Sequence, residues 1–300
     1  MTNKRRILKT GALAIVVTIA FASFVFRVEE WTKALRSDFV VYGQSSTNGG
    51  GGSPPPPPPP PAPTTVTKVL PQIAVGSFDG NLTKYSTVIE IVNTSSAPIT
   101  VSGNFYNTNG SVSTVAYATN LTGTPSITGT LPSTSLGVNG IIVITGNTAP
   151  TYSANWARIT ATGAVSIATF FEIRDGATGT LYSRVGVNAS AATMSKFVIP
   201  RVRNSALEVA FALVNTGEVP ATYTATLRDV NGAPIGTKTE SLGPRSQTAK
   251  LAGEFFGLTS QPAGTSYSSI TFESASAAFG AIAVSFEGAS QTSFPVDQLQ

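Results

Sequence analysis

The pattern of hydrophobic and polar positions changes twice along the chain. Lys4, Arg5, Arg6 and Lys9 precede an uncharged, largely apolar run from Gly11 to Phe26. Positive charge followed by an apolar run predicts an export signal, with the basic end held in the cytoplasm. Ala20-Phe21-Ala22 fits a small-x-small cleavage site, giving a signal peptide cut after Ala22. Against cleavage, Phe24, Val25 and Phe26 extend the apolar run, and Val28, Trp31, Leu35 and Phe39 recur at helical spacing. That favours an uncleaved signal-anchor helix over residues 1–44. Residues 45–68 then form a spacer. Gly49 to Gly52 supply a swivel, and Pro54 to Pro61 with Ala62 and Pro63 supply a stiff rod. Ten residues of polyproline II reach ~30 Å at about 3.1 Å each. A ligand for a proline-binding module is the alternative reading of this tract.

From Val69 onward the period becomes two. In Ile99 to Phe105 the odd positions are apolar or Gly and the even ones polar, as in a strand with one wet face. Tyr223 to Leu227 and Ala281 to Phe286 also read as strands. Clusters of Gly, Asn, Pro and Ser separate such runs, so the expected fold class is all-β.

The body repeats itself. Ile91-Val92-Asn93-Thr94, Pro98, Thr100, Phe105 and Asn109-Gly110 recur 122 residues later as Leu213-Val214-Asn215-Thr216, Pro220, Thr222, Leu227 and Asn231-Gly232. This predicts one β-hairpin used twice, with Val-Asn-Thr ending its first strand, Pro opening the second, and Asn-Gly forming a type I′ turn. Leu136-Gly137 matches Leu242-Gly243, Ile159 matches Ile270, and Ala168–Glu172 matches Ala283–Glu287. The first copy carries extra residues around Thr119 to Thr130. The expectation is two units, 69–188 and 196–297, each an immunoglobulin-like sandwich of ~100–120 residues. Their short, apolar-poor joint, Ala189 to Ser195, favours two beads over one larger sandwich.

The repeated Val92-Asn93-Thr94, Pro98, Asn109-Gly110 and Val214-Asn215-Thr216, Pro220, Asn231-Gly232 resemble the tandem β-sandwich repeats of uncharacterised exported bacterial surface proteins of the acidobacterial type. The resemblance implies an extracytoplasmic all-β module and no reaction.

Composition narrows the chemistry. The 300 residues include no Cys and no His. A disulfide framework, a thiolate zinc site and an imidazole base are therefore excluded. The net charge of +4 sits at the front: residues 1–68 hold eight Lys and Arg against three Asp and Glu, and residues 69–300 hold eleven against twelve. The basic balance sets orientation in a membrane and predicts no nucleic-acid partner.

Carboxylates are the strong bases left. Glu172 and Glu287 are read as repeat-equivalent strand-end charges, not as the two facing acids a glycosidase needs. Asp175-Gly176 and Asp229-Val230-Asn231-Gly232 faintly resemble calcium loops but sit where turns are expected. Ser195 beside Lys196 cannot act as a dyad, because neighbours on a strand face opposite ways. Lys84 with Glu90, or Lys250, are candidates for an internal isopeptide crosslink. Asn-x-Ser/Thr at Asn81, Asn93, Asn109, Asn120 and Asn188 follows from a composition rich in those residues. Trp156, Tyr152 and Tyr106 are the residues for a carbohydrate-stacking platform, although a Trp on a sandwich strand is ordinarily core.

The expected protein is thus non-enzymatic, with no catalytic, metal or cofactor-binding residue assigned. It is exported and displayed at a bacterial cell surface, held by its N-terminal segment or secreted after cleavage. Structural or adhesive display toward a protein or glycan is the first reading of its role, and a carbohydrate-binding accessory module the second. A filament subunit built by strand donation is a further alternative.

Overall fold

The computed structural model describes residues 65–299, apart from 78–79, 81, 147–148, 192, 203–206, 259–266, 277, 288–289 and 295. The expected signal segment, 1–44, and most of the spacer lie outside the described residues. Among the described residues no helix is long and apolar enough to cross a membrane.

The body is all-β and almost entirely antiparallel. In the first repeat, one sheet has the order β1 (Val66–Val75), β8 (Ser153–Ala161), β3 (Ile99–Asn107), β6 (Thr130–Leu136). The facing sheet runs β10 (Leu181–Asn188), β9 (Val165–Asp175), β2 (Thr83–Asn93), β7 (Ile141–Gly146), β4 (Ala116–Leu121), β5 (Thr124–Thr128). In the second repeat, one sheet runs β14 (Pro234–Leu242), β13 (Ala221–Arg228), β16 (Tyr267–Glu273), β11 (Lys196–Val202), β19 (Asp297–Gln298). Its partner runs β15 (Gln247–Leu251), β12 (Leu207–Asn215), β17 (Phe279–Glu287), β18 (Ser290–Phe294). A single turn of helix, α1 (Ala252–Phe255), follows β15.

The two repeats share one topology. β1, β8, β3 and β6 correspond to β11, β16, β13 and β14, and β10, β9, β2 and β7 to β18, β17, β12 and β15. The hairpin β4–β5 is the insertion that the extra residues around Thr119 to Thr130 announce. In both copies the first strand pairs with β8 or β16 and not with the strand that follows it. An immunoglobulin domain sets its first strand beside its second. The layered all-β character is therefore as expected, and the immunoglobulin strand order is not.

Each repeat closes on its own core. Leu70, Ile89, Phe105, Tyr117, Ile142 and Ile159 come from both sheets of the first. Phe197, Phe211, Leu213, Tyr223, Phe272 and Phe279 do the same in the second. The latter set is aromatic: Phe197 stacks on Phe272 with centroids 4.9 Å apart, and Phe211 meets Phe272 edge-on at 5.1 Å. Such pairs add about 0.5–1.5 kcal/mol each beyond their burial.

The repeated Asn explains why the motif recurs. β2 and β3 lie in different sheets, so Val-Asn-Thr to Pro is a corner carrying the chain across the sandwich, not the hairpin expected. Asn93 Nδ2 donates to the carbonyls of Ala97, Leu136 and Gly137 at 2.9, 3.0 and 3.0 Å. Asn215 Nδ2 donates to those of Val219, Leu242 and Gly243 at 2.8, 3.1 and 2.8 Å. Each Oδ1 accepts the amide two residues on, from Ser95 or Gly217, at 2.9 Å. Both asparagines are fully buried. One amide thus ties the corner to the repeated Leu-Gly turn at the end of β6 or β14, satisfying backbone groups that the corner strips from the ladder.

The Asn-Gly turns differ from expectation. Gly110 (φ 84°) and Gly232 (φ 82°) are left-handed, but Asn109 and Asn231 are not. Gly110 N–H donates to Asn107 O at 3.0 Å, and Gly232 N–H to Asp229 O at 3.1 Å. A type I′ turn needs positive φ at both central residues; these are ordinary turns closed by one left-handed glycine. The strand alignment also moves by one residue. Ile89 pairs with Thr169 and its equivalent Phe211 with Ala283, so Glu172 corresponds to Phe286 and not to Glu287. A one-residue slip exchanges the two faces of a strand.

Candidate functional site

The most informative surface lies where the repeats meet. β12 and β17 are apolar on both faces. Val209, Phe211 and Leu213, with Phe279, Ala281 and Ala283, face the core of the second repeat. Ala212, Val214, Ile282 and Val284, on the other face, are also buried. A strand that reads Val-Ala-Phe-Ala-Leu-Val needs cover on both sides. That second cover is the first repeat. Val69, Tyr106 and Trp156 pack with Val214. Val187 packs with Ala212, Ile282 and Val284, flanked by Phe171 and Phe286.

Trp156 is the centre of this joint. It is 0 % exposed and stacks on Tyr106 with centroids 4.5 Å apart. Its indole N–H donates to Arg245 O at 2.8 Å, so the one polar atom of the ring is satisfied across the joint. Arg245 itself is left-handed (φ 53°), with its guanidinium 5.6 Å over the Tyr106 ring. Gln247 N–H donates to Thr108 O at 2.8 Å, Ala281 N–H to Ser190 Oγ at 3.0 Å, and the Arg158 guanidinium to Thr216 O. The two repeats are therefore docked, not strung as separate beads. The short linker concealed this, because the joining surface comes from strands far from it in sequence.

The docking faces occur once. Where the second repeat presents Ala212, Ile282, Val284 and Phe286, the first has Glu90, Ala168, Phe170 and Glu172 at the equivalent registers. Glu172 bonds Arg174 at 2.8 Å, and Arg184 lies 4.0 Å over the Phe170 ring. Where the first repeat presents Tyr106 opposite Trp156, the second has Arg228 opposite Ser269. Polar residues thus close both outer ends, as terminal repeats of an array require.

Beside the packed joint the surfaces part. A cavity of about 230 Å³ opens there, lined by Gln72, Tyr85, Tyr152 and Phe171 of the first repeat and by Ala210, Val284, Phe286 and Gln291 of the second, among others. Tyr85 and Tyr152 meet edge-on at 5.6 Å. Gln72 Nε2 donates to the Tyr152 hydroxyl at 3.4 Å, and Gln247 Nε2 donates to Gln72 Oε1. Burial raises the Tyr152 pKa, so its hydroxyl keeps its proton at neutral pH. This cavity was not foreseen from the sequence. The two-faced apolarity of β12 and β17 was its signal, but such runs equally mark any strand buried within one domain.

The other candidate residues are occupied structurally. Asp175 Oδ1 accepts from the amides of Ala177 and Thr178 at 3.0 and 2.7 Å, and Oδ2 accepts from the Tyr182 hydroxyl at 2.5 Å. The Tyr182 bond first, then those from Thr178, lower its pKa to about 2. Asp229 Oδ1 accepts from Asn231 and Ala233 amides at 2.9 and 2.8 Å. Both are turn locks. Glu208 faces the Arg201 guanidinium at 3.6 Å, Glu240 accepts from Tyr223 OH at 3.1 Å, and Lys196 pairs with Glu273 at 3.0 Å. Burial, then Glu240, raises the Tyr223 pKa. Lys84 and Glu90 sit on one strand, about 20 Å apart at ~3.3 Å per residue, so they cannot crosslink. Lys250 is exposed on β15. Asp79, Asn81 and the Glu287 side chain lie outside the described residues. Among the described residues no three acidic, His or Cys side chains gather as metal ligands.

In comparison with known proteins, the chain matches no family model and no curated protein.

Proposed function

We propose that the protein is a non-enzymatic, extracytoplasmic display module: a docked pair of β-sandwiches carried on a proline-rich stalk and held by its N-terminal segment at a cell surface. The observation that carries this reading is the joint. A free pair of beads would place any surface they bear at random orientations. The Trp156–Tyr106 stack and the cross-repeat hydrogen bonds instead hold both repeats as one body, suited to presenting a fixed surface to a protein or glycan partner. The acids named above serve turns and ion pairs, which is consistent with a role other than catalysis.

The carbohydrate-binding alternative loses its platform on the same observation. Trp156 and Tyr106, 0 % and 6 % exposed, are spent on the joint and cannot stack on a sugar. The test is protease treatment of intact cells producing the full-length chain with a C-terminal tag. The body is expected to be cut away while cytoplasmic markers survive. A body fully protected until the cells are lysed refutes surface display.

A further inference from the structure

We propose that the cavity beside the joint is a binding site for a small, uncharged, planar aromatic molecule of bicyclic size carrying one hydrogen-bonding group. Size comes first. An apolar cavity of about 150 Å³ holds one benzene, so the 230 Å³ found here suits two fused rings and is too small for a peptide helix. Lining comes second. Its walls are Tyr85, Tyr152, Phe171, Phe286 and the buried Phe211, with aliphatic side chains and the amides of Gln72 and Gln291, and none of the lining residues is charged. A charged ligand would leave water there without a counter-charge. A sugar would bury many hydroxyls against few polar partners, which are Gln72, Gln291 and the tyrosine hydroxyls.

The packing contrast comes third. At the centre of the joint next door the Tyr106 and Trp156 rings are buried. Around the cavity, Tyr85, Tyr152, Phe171 and Phe286 are all left half-buried and turned toward one space. Four aromatic rings held in that state leave apolar surface in water that a flat ring would cover. The polar end is preset. Gln247, only 6 % exposed, donates to Gln72 Oε1, and this fixes the amide whose other end reaches the Tyr152 hydroxyl. The site does not depend on where the protein is displayed.

The test is isothermal titration calorimetry of the full-length chain with 2-naphthol and with indole, and with cellobiose as the sugar arm. Saturable one-to-one binding of 2-naphthol or indole is expected. Ala210→Leu places an isobutyl group in the cavity and is expected to weaken binding about tenfold or more, as filling a packed space does. Its unfolding midpoint should stay near that of the native chain. Ala249→Leu, at an exposed rim position, gives the same reading should Ala210→Leu fail to fold. No saturable aromatic binding, equal affinity in the folded variant, or binding of cellobiose instead overturns the proposal.

Discussion

Replacing Asn215 by Ala tests whether the repeated Asn is what holds each sandwich corner. The side chain is 0 % exposed and makes four hydrogen bonds, three as donor and one as acceptor. The bond to Leu242 O is buried, and its loss strands a carbonyl at about 1–3 kcal/mol. The bonds to Val219 O, Gly243 O and Gly217 N–H are partly buried, so water can replace them in part, at about 0.5–1.5 kcal/mol each. Together these amount to roughly 2.5–7.5 kcal/mol, a large share of the stability of an ordinary domain. Asn215→Asp keeps the acceptor but turns a carboxylate toward three carbonyls, so it should be no milder. Denaturant unfolding of the full-length chain followed by far-ultraviolet circular dichroism measures the change. Asn93→Ala should cost at least as much, because Asn93 makes the equivalent four bonds and its Oδ1 also accepts from the Ser95 hydroxyl. A cost below about 0.5 kcal/mol for either, the range of a surface substitution, refutes the reasoning.

Other consequences are as direct. Trp156→Ala removes a fully buried ring and its bond to Arg245 O, and should cost about 3–5 kcal/mol. Limited proteolysis should then cut the 189–195 joint faster, and an unchanged cutting rate would separate Trp156 from the docking. Gly110→Ala and Gly232→Ala form a matched pair. Both impose left-handed strain of about 1–2 kcal/mol, but a Cβ at Gly110 also lies 2.2 Å from Pro244 O of the other repeat, whereas Gly232 has open space. Gly110→Ala should be the more damaging by thermal unfolding. The Asp175 carboxyl should titrate near pH 2 by nuclear magnetic resonance and rise toward its ordinary value in Tyr182→Phe. Because its folded pKa is depressed, its contribution is present above the ordinary carboxylate value of 3.8 and is lost as pH falls through about 2. Glu90→Ala with Glu172→Phe rebuilds on the first repeat the face that the second uses for docking. It should promote self-association in sedimentation, and a variant that sediments like the native chain would refute the capping role of those acids.

Much of the fold was legible because its signals are local. Alternation in Ile99 to Phe105 follows from the pleat, and the insertion at β4–β5 shows as extra length in one copy. The repeated Asn was legible as a position, but not its role, because its partners at Leu136 and Leu242 lie far along the chain. Glu172 and Glu287 are one residue out of register, because residue identity along the chain does not report register and strand pairing does. Trp156 shows the same boundary. Its strand and its burial follow from the sequence, whereas its partner, a face of the other repeat, does not.

What the sequence determined by itself, then, is the all-β class, the duplication and the absence of thiol and imidazole chemistry, since each depends on residue identity and short-range period. The tertiary structure decided the strand order, the docking of the repeats and the aromatic cavity beside the joint. Those depend on which distant surfaces bury one another. The hydrophobic effect that drives such burial is non-directional, so an apolar face specifies that it will be covered, and the folded geometry specifies by what.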